Sequence, residues 1–147
     1  MKNIKDKKIA LKKLFSGSRV ARQCALSFIS LDYFDVGQNK DTDKIRKELH
    51  ERYIKNTRYE PDLHFQASFG HLTGYGAKYY GYMWAKVFAL DLFYQIKKEG
   101  LLNSKVGKRL IDLVLSKGGS VEPDILLRNF LGRDPNQEAF LKDLGII

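Results

Sequence analysis

Apolar residues recur along this chain at spacings of three and four, the period of helices that bury one face. Two-residue alternation is confined to short ambiguous runs. A run from Ile9 to Phe15 closes a first basic helix, and SGS at 16–18 breaks it. Ser18 is placed to cap a second helix, rich in Val, Ala, Leu and Ile, that reaches about Phe34. The polar stretch VGQNKDTD connects it to KIRKELHERYIK, opened by Asp41 or Thr42. Opposite charges three and four apart suit an exposed face there. NTRYEPDLHFQASFG, residues 56–70, is irregular, because Pro61 biases Glu60 away from helix. It is long for a plain connector, and long ordered loops are often functional. A helix from about Tyr75 to Glu99 follows, stopped by Gly100. Asn103 or Ser104 caps the next, through about Lys117, ahead of Gly118 and Gly119. Pro123 suits the first turn of another, which Gly132 ends. Asp134, Pro135 and Gln137 have the pattern of a cap, a first-turn proline and a capping box for the last helix. The expected fold class is all-α, and residues 1–147 are expected to form a single all-helical segment.

The helix at 75–99 changes the picture. Tyr79, Met83, Leu90 and Phe93 cover one side, while Trp84, Val87, Phe88 and Leu92 cover much of the other. A helix apolar nearly all round is normally buried in a large protein. The chain has 147 residues and about six other helices, several of them charged. This points to a piece of something larger.

Composition narrows the function classes. Charged residues make up 29% of the chain, and no apolar run is long enough to span a bilayer, so no membrane segment is expected. One cysteine, Cys24, excludes a disulfide framework and a multi-cysteine metal site, and its apolar surroundings read as a small buried thiol. The net charge of +9 raises nucleic-acid binding, but the lysines are scattered or alternate with acids, which describes a solvated surface. The lysine-rich beginning lacks the apolar core of a secretory signal and reads as a solvated helix. His50-Glu51 begins like a zinc-peptidase HExxH motif, then fails, because Ile54 stands where the second histidine belongs.

The tyrosines are less easily dismissed. Tyr75, Tyr79 and Tyr82 are spaced to share one helical face, and Tyr80 points elsewhere. Spacing alone leaves two readings, of which core packing is the plainer. The other is a row of phenols that donate hydrogen bonds to a developing oxyanion.

FGHLTGYGAKYYGYMWAKVFALDLF, residues 69–93, resembles the catalytic-domain signature of the thimet oligopeptidase, neurolysin and oligopeptidase A family of zinc metallopeptidases. The resemblance continues in order through EGLLNSKVGKRL, LSKGGS and LLRNFLGRDPNQEAFLKDLGI, and earlier in LFSGSRVARQCALSFISLDYFD. It covers roughly residues 10–147. It implies the helical C-terminal part of the catalytic lobe of a two-lobed zincin oligopeptidase, acting on short peptides. The residues it carries over are His71 and Tyr75 as substrate contacts and Tyr82 as the oxyanion-stabilising catalytic residue. HLTGY is one residue shorter here than the family's HxxGGY form. The cofactor implied is zinc, with its HExxH helix and third ligand outside this chain, so the chain alone is expected to be inactive. The partners implied are short peptide substrates and the missing N-terminal, zinc-binding portion, with no nucleic acid and no membrane. The compartment expected is the cytoplasm, with organelles also open. The rival reading is an inactive helical remnant or interaction module, with a basic nucleic-acid-binding protein ranked behind it because the charge is scattered.

Overall fold

The computed structural model describes residues 2–147. The described residues form nine α-helices and two 3₁₀ turns with no strand, so the fold is all-α. They fall into two compact units, Met1–Tyr82 and Met83–Ile147. No described helix is long and apolar enough to cross a membrane.

In the first unit, α1 (Lys2–Lys13) and α2 (Ser16–Phe34) meet at Phe15, which adopts a left-handed conformation with φ 56°. SGS therefore does not break a helix but begins one, and Ser18 is not its cap. The first N–H groups of a helix have no intrahelical partner in any case, so serine and glycine fit its first turn at little cost. The Leu14 carbonyl, left over at the junction, accepts a 2.7 Å hydrogen bond from Arg19 Nη1. Helix α3 (Thr42–Tyr53) starts as its sequence suggests, with Asp41 Oδ1 accepting from the Lys44 N–H at 2.9 Å. It packs on α2 partly through the stacked rings of Phe28 and Tyr53, 5.4 Å apart.

Helix α3 is not uniformly exposed. Arg46 is buried, and its guanidinium donates to the carbonyls of Glu60 (3.1 Å) and Leu63 (2.6 Å) while lying over the Tyr59 and Phe65 rings. One side chain thus satisfies two carbonyls of the irregular 56–70 stretch, which would otherwise be costly to bury. That stretch ends in two short helices, α4 (Phe65–Ser68) and α5 (His71–Tyr75).

The helix expected from Tyr75 onward does not begin there. Gly76 (φ 54°, ψ −125°) closes α5, and Gly76–Tyr80 forms a 3₁₀ turn before α6 (Gly81–Glu99) starts. The Gly76 conformation is one that side chains disfavour strongly. A single hydroxyl holds it. Ser30 Oγ, fully buried on α2, donates to the Gly76 carbonyl at 2.6 Å and accepts from the Tyr79 N–H at 3.4 Å. The core of this unit is Leu26, Phe69 and Tyr79, with Phe65 and Leu72 packed against it.

In the second unit, Phe88, Leu92 and Ile96 of α6 form one stripe. They pack on a core of Val106 from α7 (Ser104–Leu113) and of Leu127, Phe130 and Leu131 from α8 (Pro123–Leu131). Gly100 and Gly132 end α6 and α8 with positive φ, Asn103 caps α7 by accepting from the Lys105 N–H, and Pro123 opens α8. Helix α7 ends at Leu113, and a short 3₁₀ turn, Leu115–Lys117, carries the chain on.

The all-round apolar helix α6 buries only one face here, and Trp84 remains 54% exposed. Its most buried residue is an acid, Asp91, at 2% exposure. Both Arg133 guanidinium nitrogens donate to the Asp91 carboxylate, and the Asn136 N–H adds a third bond at 3.0 Å. Burial pushes the Asp91 carboxyl upward, but the Arg133 hydrogen bonds, the Asn136 N–H and the Arg133 charge together hold it below the usual carboxylate range.

The last helix, α9 (Glu138–Leu144), lacks the expected capping box. Asp134 is engaged by Arg128 at 2.6 Å, and Asn136 Oδ1 takes over by accepting from the Glu138 N–H at 3.0 Å.

Candidate functional site

Three consecutive short elements converge their aromatic side chains. Helix α5 contributes His71 and Tyr75, the 3₁₀ turn contributes Tyr79, and the first turn of α6 contributes Tyr82. Tyr79 is the centre of the cluster and is buried. Its ring centroid lies 5.1 Å from Phe69, 5.1 Å from His71 and 5.0 Å from Tyr82. Around it, His71 lies 5.7 Å from Tyr75 and 5.7 Å from Tyr82, and Tyr75 lies 5.3 Å from Tyr82. The His71 contacts with Tyr79 and Tyr82 are edge-on, a favourable arrangement of ring quadrupoles.

The cluster has a dry side and a wet side. Tyr79 and Phe69 join the core, whereas His71, Tyr75 (46%) and Tyr82 (42%) are exposed. Tyr80, at the adjacent position, is exposed and outside the ring cluster. The geometry thus gives both readings of the stripe a share. Tyr79 is packing, and Tyr75 and Tyr82 present phenols outward from it.

Electrostatically the outward phenols are donors. A hydrogen bond with Tyr75, then partial desolvation, then the neighbouring Tyr75 and Tyr79 phenols raise the Tyr82 pKa above its ordinary value. Tyr82 therefore keeps its proton across the neutral range. Beside the rings lies a cleft of about 570 Å³ lined by Arg22, Leu26, Phe69, His71, Tyr75 and Tyr79 among others, and no acid among the described residues lines it.

His71, Tyr75 and Tyr82, singled out from the sequence, are brought together. The sequence reading missed the supports: Ser30, which pins the 3₁₀ turn; Arg46, which holds the loop leading into Phe65 and Phe69; and Arg22, which faces the cleft. Only Ser30 left a trace, as a hydroxyl within the apolar run ALSFISL.

Among the described residues no group of three or more His, Cys, Asp or Glu is placed to hold a metal ion. His50, the start of the failed HExxH pattern, instead donates from Nε2 to the Thr57 carbonyl at 3.0 Å and meets the Tyr59 ring edge-on.

Comparison with known proteins is consistent along the chain. The family model described as Peptidase family M3 matches residues 2–146. Saccharolysin of Saccharomyces cerevisiae is 46% identical over 81 residues, 54% of this chain and 11% of its own length. Oligopeptidase A of Escherichia coli is 43% identical over 84 residues, covering 56% of this chain and 12% of that protein. Mitochondrial intermediate peptidase of Mus musculus is 30% identical over 125 residues, 83% of this chain and 17% of the relative. The chain spans less than a fifth of the length of each of these relatives.

Proposed function

This chain belongs to peptidase family M3, and from that premise we propose that it supplies the substrate-facing side of a zinc-dependent oligopeptidase site that hydrolyses short peptides. The observation that carries this reading is the convergence of His71, Tyr75 and Tyr82 at an exposed edge, over a buried Tyr79, with the Tyr82 proton held.

Addition of water to a peptide carbonyl converts a planar, neutral C=O into a tetrahedral carbon bearing an oxyanion. A phenol that donates to that oxygen bonds it more strongly once it is charged, so the interaction favours the transition state over the ground state. Tyr82 has this role. In the free chain the neighbouring Tyr75 phenol, its ring 5.3 Å away, is the leading cause that favours the protonated, donating form of Tyr82. An oxyanion is a stronger acceptor than a neutral phenol oxygen and takes that donation over. Tyr75 and His71, exposed on either side, contact the peptide and orient it. Tyr79 fixes the spacing of the other three rings through its own contacts with Phe69, His71 and Tyr82.

The described residues do not fit a metal, so the zinc ligands of this reading belong to protein outside the chain. When bound, the ion would polarise the scissile carbonyl and acidify water. The same outside portion would cover the exposed apolar side of α6, where Trp84 and Phe93 stand open.

The test replaces the aligned segment of Escherichia coli oligopeptidase A with this chain and compares two substitutions in the hybrid. Tyr82→Phe removes one hydroxyl and is expected to lower kcat about a hundredfold with KM nearly unchanged. Tyr80→Phe, outside the cluster, is expected to stay within about twofold. Equal losses from the two, or a Tyr82→Phe effect confined to KM, would reduce the cluster to packing.

A further inference from the structure

Among the described residues, Arg22 is the only fully charged side chain lining the cleft beside the aromatic cluster. It projects from α2, is exposed, and has no carboxylate partner among the described residues. The same arginine lines a second cleft of about 610 Å³, shared with Arg19, Arg52, Lys55 and the polar Asn56 and Thr57, and no acid among the described residues lines that cleft either. Some cations of the chain are paired with acids, as Lys108 is with Asp112 and Arg128 with Asp124 and Asp134. Two clefts thus share the Arg22 guanidinium, and among the described residues no acid lines either of them.

An unpaired, exposed guanidinium presents a planar fork of N–H donors that matches a carboxylate in two-point geometry. Its position one wall away from His71 and Tyr75 sets which part of a peptide it can meet. We propose that Arg22 is a specificity-determining residue that receives a carboxylate of the bound peptide, with Arg52 and Lys55 extending the attraction along the second cleft. The proposal rests on the reading of His71 and Tyr75 as peptide contacts. The carboxylate has two sources, an acidic side chain or the peptide's C-terminus.

The experiment measures fluorescence anisotropy of labelled peptides on the 147-residue chain at low ionic strength. Three peptides share one neutral sequence: one amidated, one with a free C-terminal carboxylate, and one amidated with a single glutamate. At least one carboxylate-bearing peptide should bind about three- to fivefold tighter than the neutral one, the range of an exposed ion pair. The one that does identifies the source. Arg22→Gln should erase the gain, Arg22→Lys should keep part of it, and about 0.5 M salt should remove it. Lys117→Gln, an exposed charge in the second unit, should leave it intact and so controls for the net charge of +9.

A gain that survives Arg22→Gln, or that Lys117→Gln lowers equally, overturns the proposal in favour of bulk attraction. If the three peptides bind alike while Tyr75→Ala weakens all of them, the carboxylate site falls and the substrate-contact reading stands. If Tyr75→Ala changes nothing while the Arg22 gain persists, the reverse holds. Failure of every peptide to bind sinks both.

Discussion

Replacing Asp91 asks whether a buried charge, and not only apolar contact, holds the second unit together. In Asp91→Ala the carboxylate that accepts two bonds from Arg133 and one from the Asn136 N–H disappears. Hydrogen bonds to charged groups contribute about 1.5–3 kcal/mol each, but not all of that is lost. The Arg133 side chain is 41% exposed and regains water, so its share is discounted. The remainder is about 2–4 kcal/mol, a large part of a marginal stability. Asp91→Asn keeps one acceptor and should cost less. Trp84, the single tryptophan, lies on the same helix against Phe88, so its fluorescence during urea titration reports on this unit. With a slope of about 1–2 kcal/mol per molar urea, the midpoint should fall by roughly 1–4 M, about 2 M at the centre of both ranges. Asp143→Asn, which breaks the half-exposed pair with Lys86, should cost under about 1 kcal/mol. The pH dependence has a definite sign. The Asp91 carboxyl is depressed in the folded state, so below its unfolded value of about 3.9 the unfolded chain binds the extra proton first. The gap between wild type and Asp91→Asn is therefore full at neutral pH and closes as pH falls through that window. An Asp91→Ala midpoint within error of Asp143→Asn at pH 7 would refute the reasoning.

Ser30→Ala should destabilise the first unit by about 1–2 kcal/mol, because the Gly76 carbonyl and Tyr79 N–H lose their shared partner. Amide hydrogen exchange at Tyr79 should accelerate; unchanged protection would mean that the turn holds itself. Tyr75→Phe should lower the Tyr82 pKa toward its ordinary value, since the hydrogen bond with Tyr75 is the leading cause of its elevation. Tyrosinate absorbance in alkaline titration reads this, and an unmoved curve would mean that the two hydroxyls do not interact.

What was legible in the sequence was local. Asp41, Asn103, Pro123, Gly100 and Gly132 mark helix ends through contacts within a few residues, and each does so in the structure. Spacing offered Tyr75 and Tyr82 but left their role open, His71 came only through the resemblance, and spacing on one ideal helix described the wrong backbone. Tyr75 and Tyr82 do meet, but across a break at Gly76 that depends on Ser30, 46 positions away. Asp91 was hidden for the same reason. It is the sole acid between Gly81 and Lys98, and the partner that explains it lies 42 positions further on. Asp134 misled in the opposite direction, since its cap-like position is overridden by Arg128.

The Asp91–Arg133 pair also imposes an order on biosynthesis. A ribosome adding about 5–20 residues per second takes roughly 2–8 s to travel from codon 91 to codon 133. Throughout that interval the nascent α6 carries a carboxylate without its Arg133 partner. A hydrated charge in the middle of an otherwise oily segment opposes premature collapse and keeps the emerging helix from sealing onto the wrong neighbour. When Arg133 and Asn136 arrive, the same charge gains the partners that hold it in the folded unit.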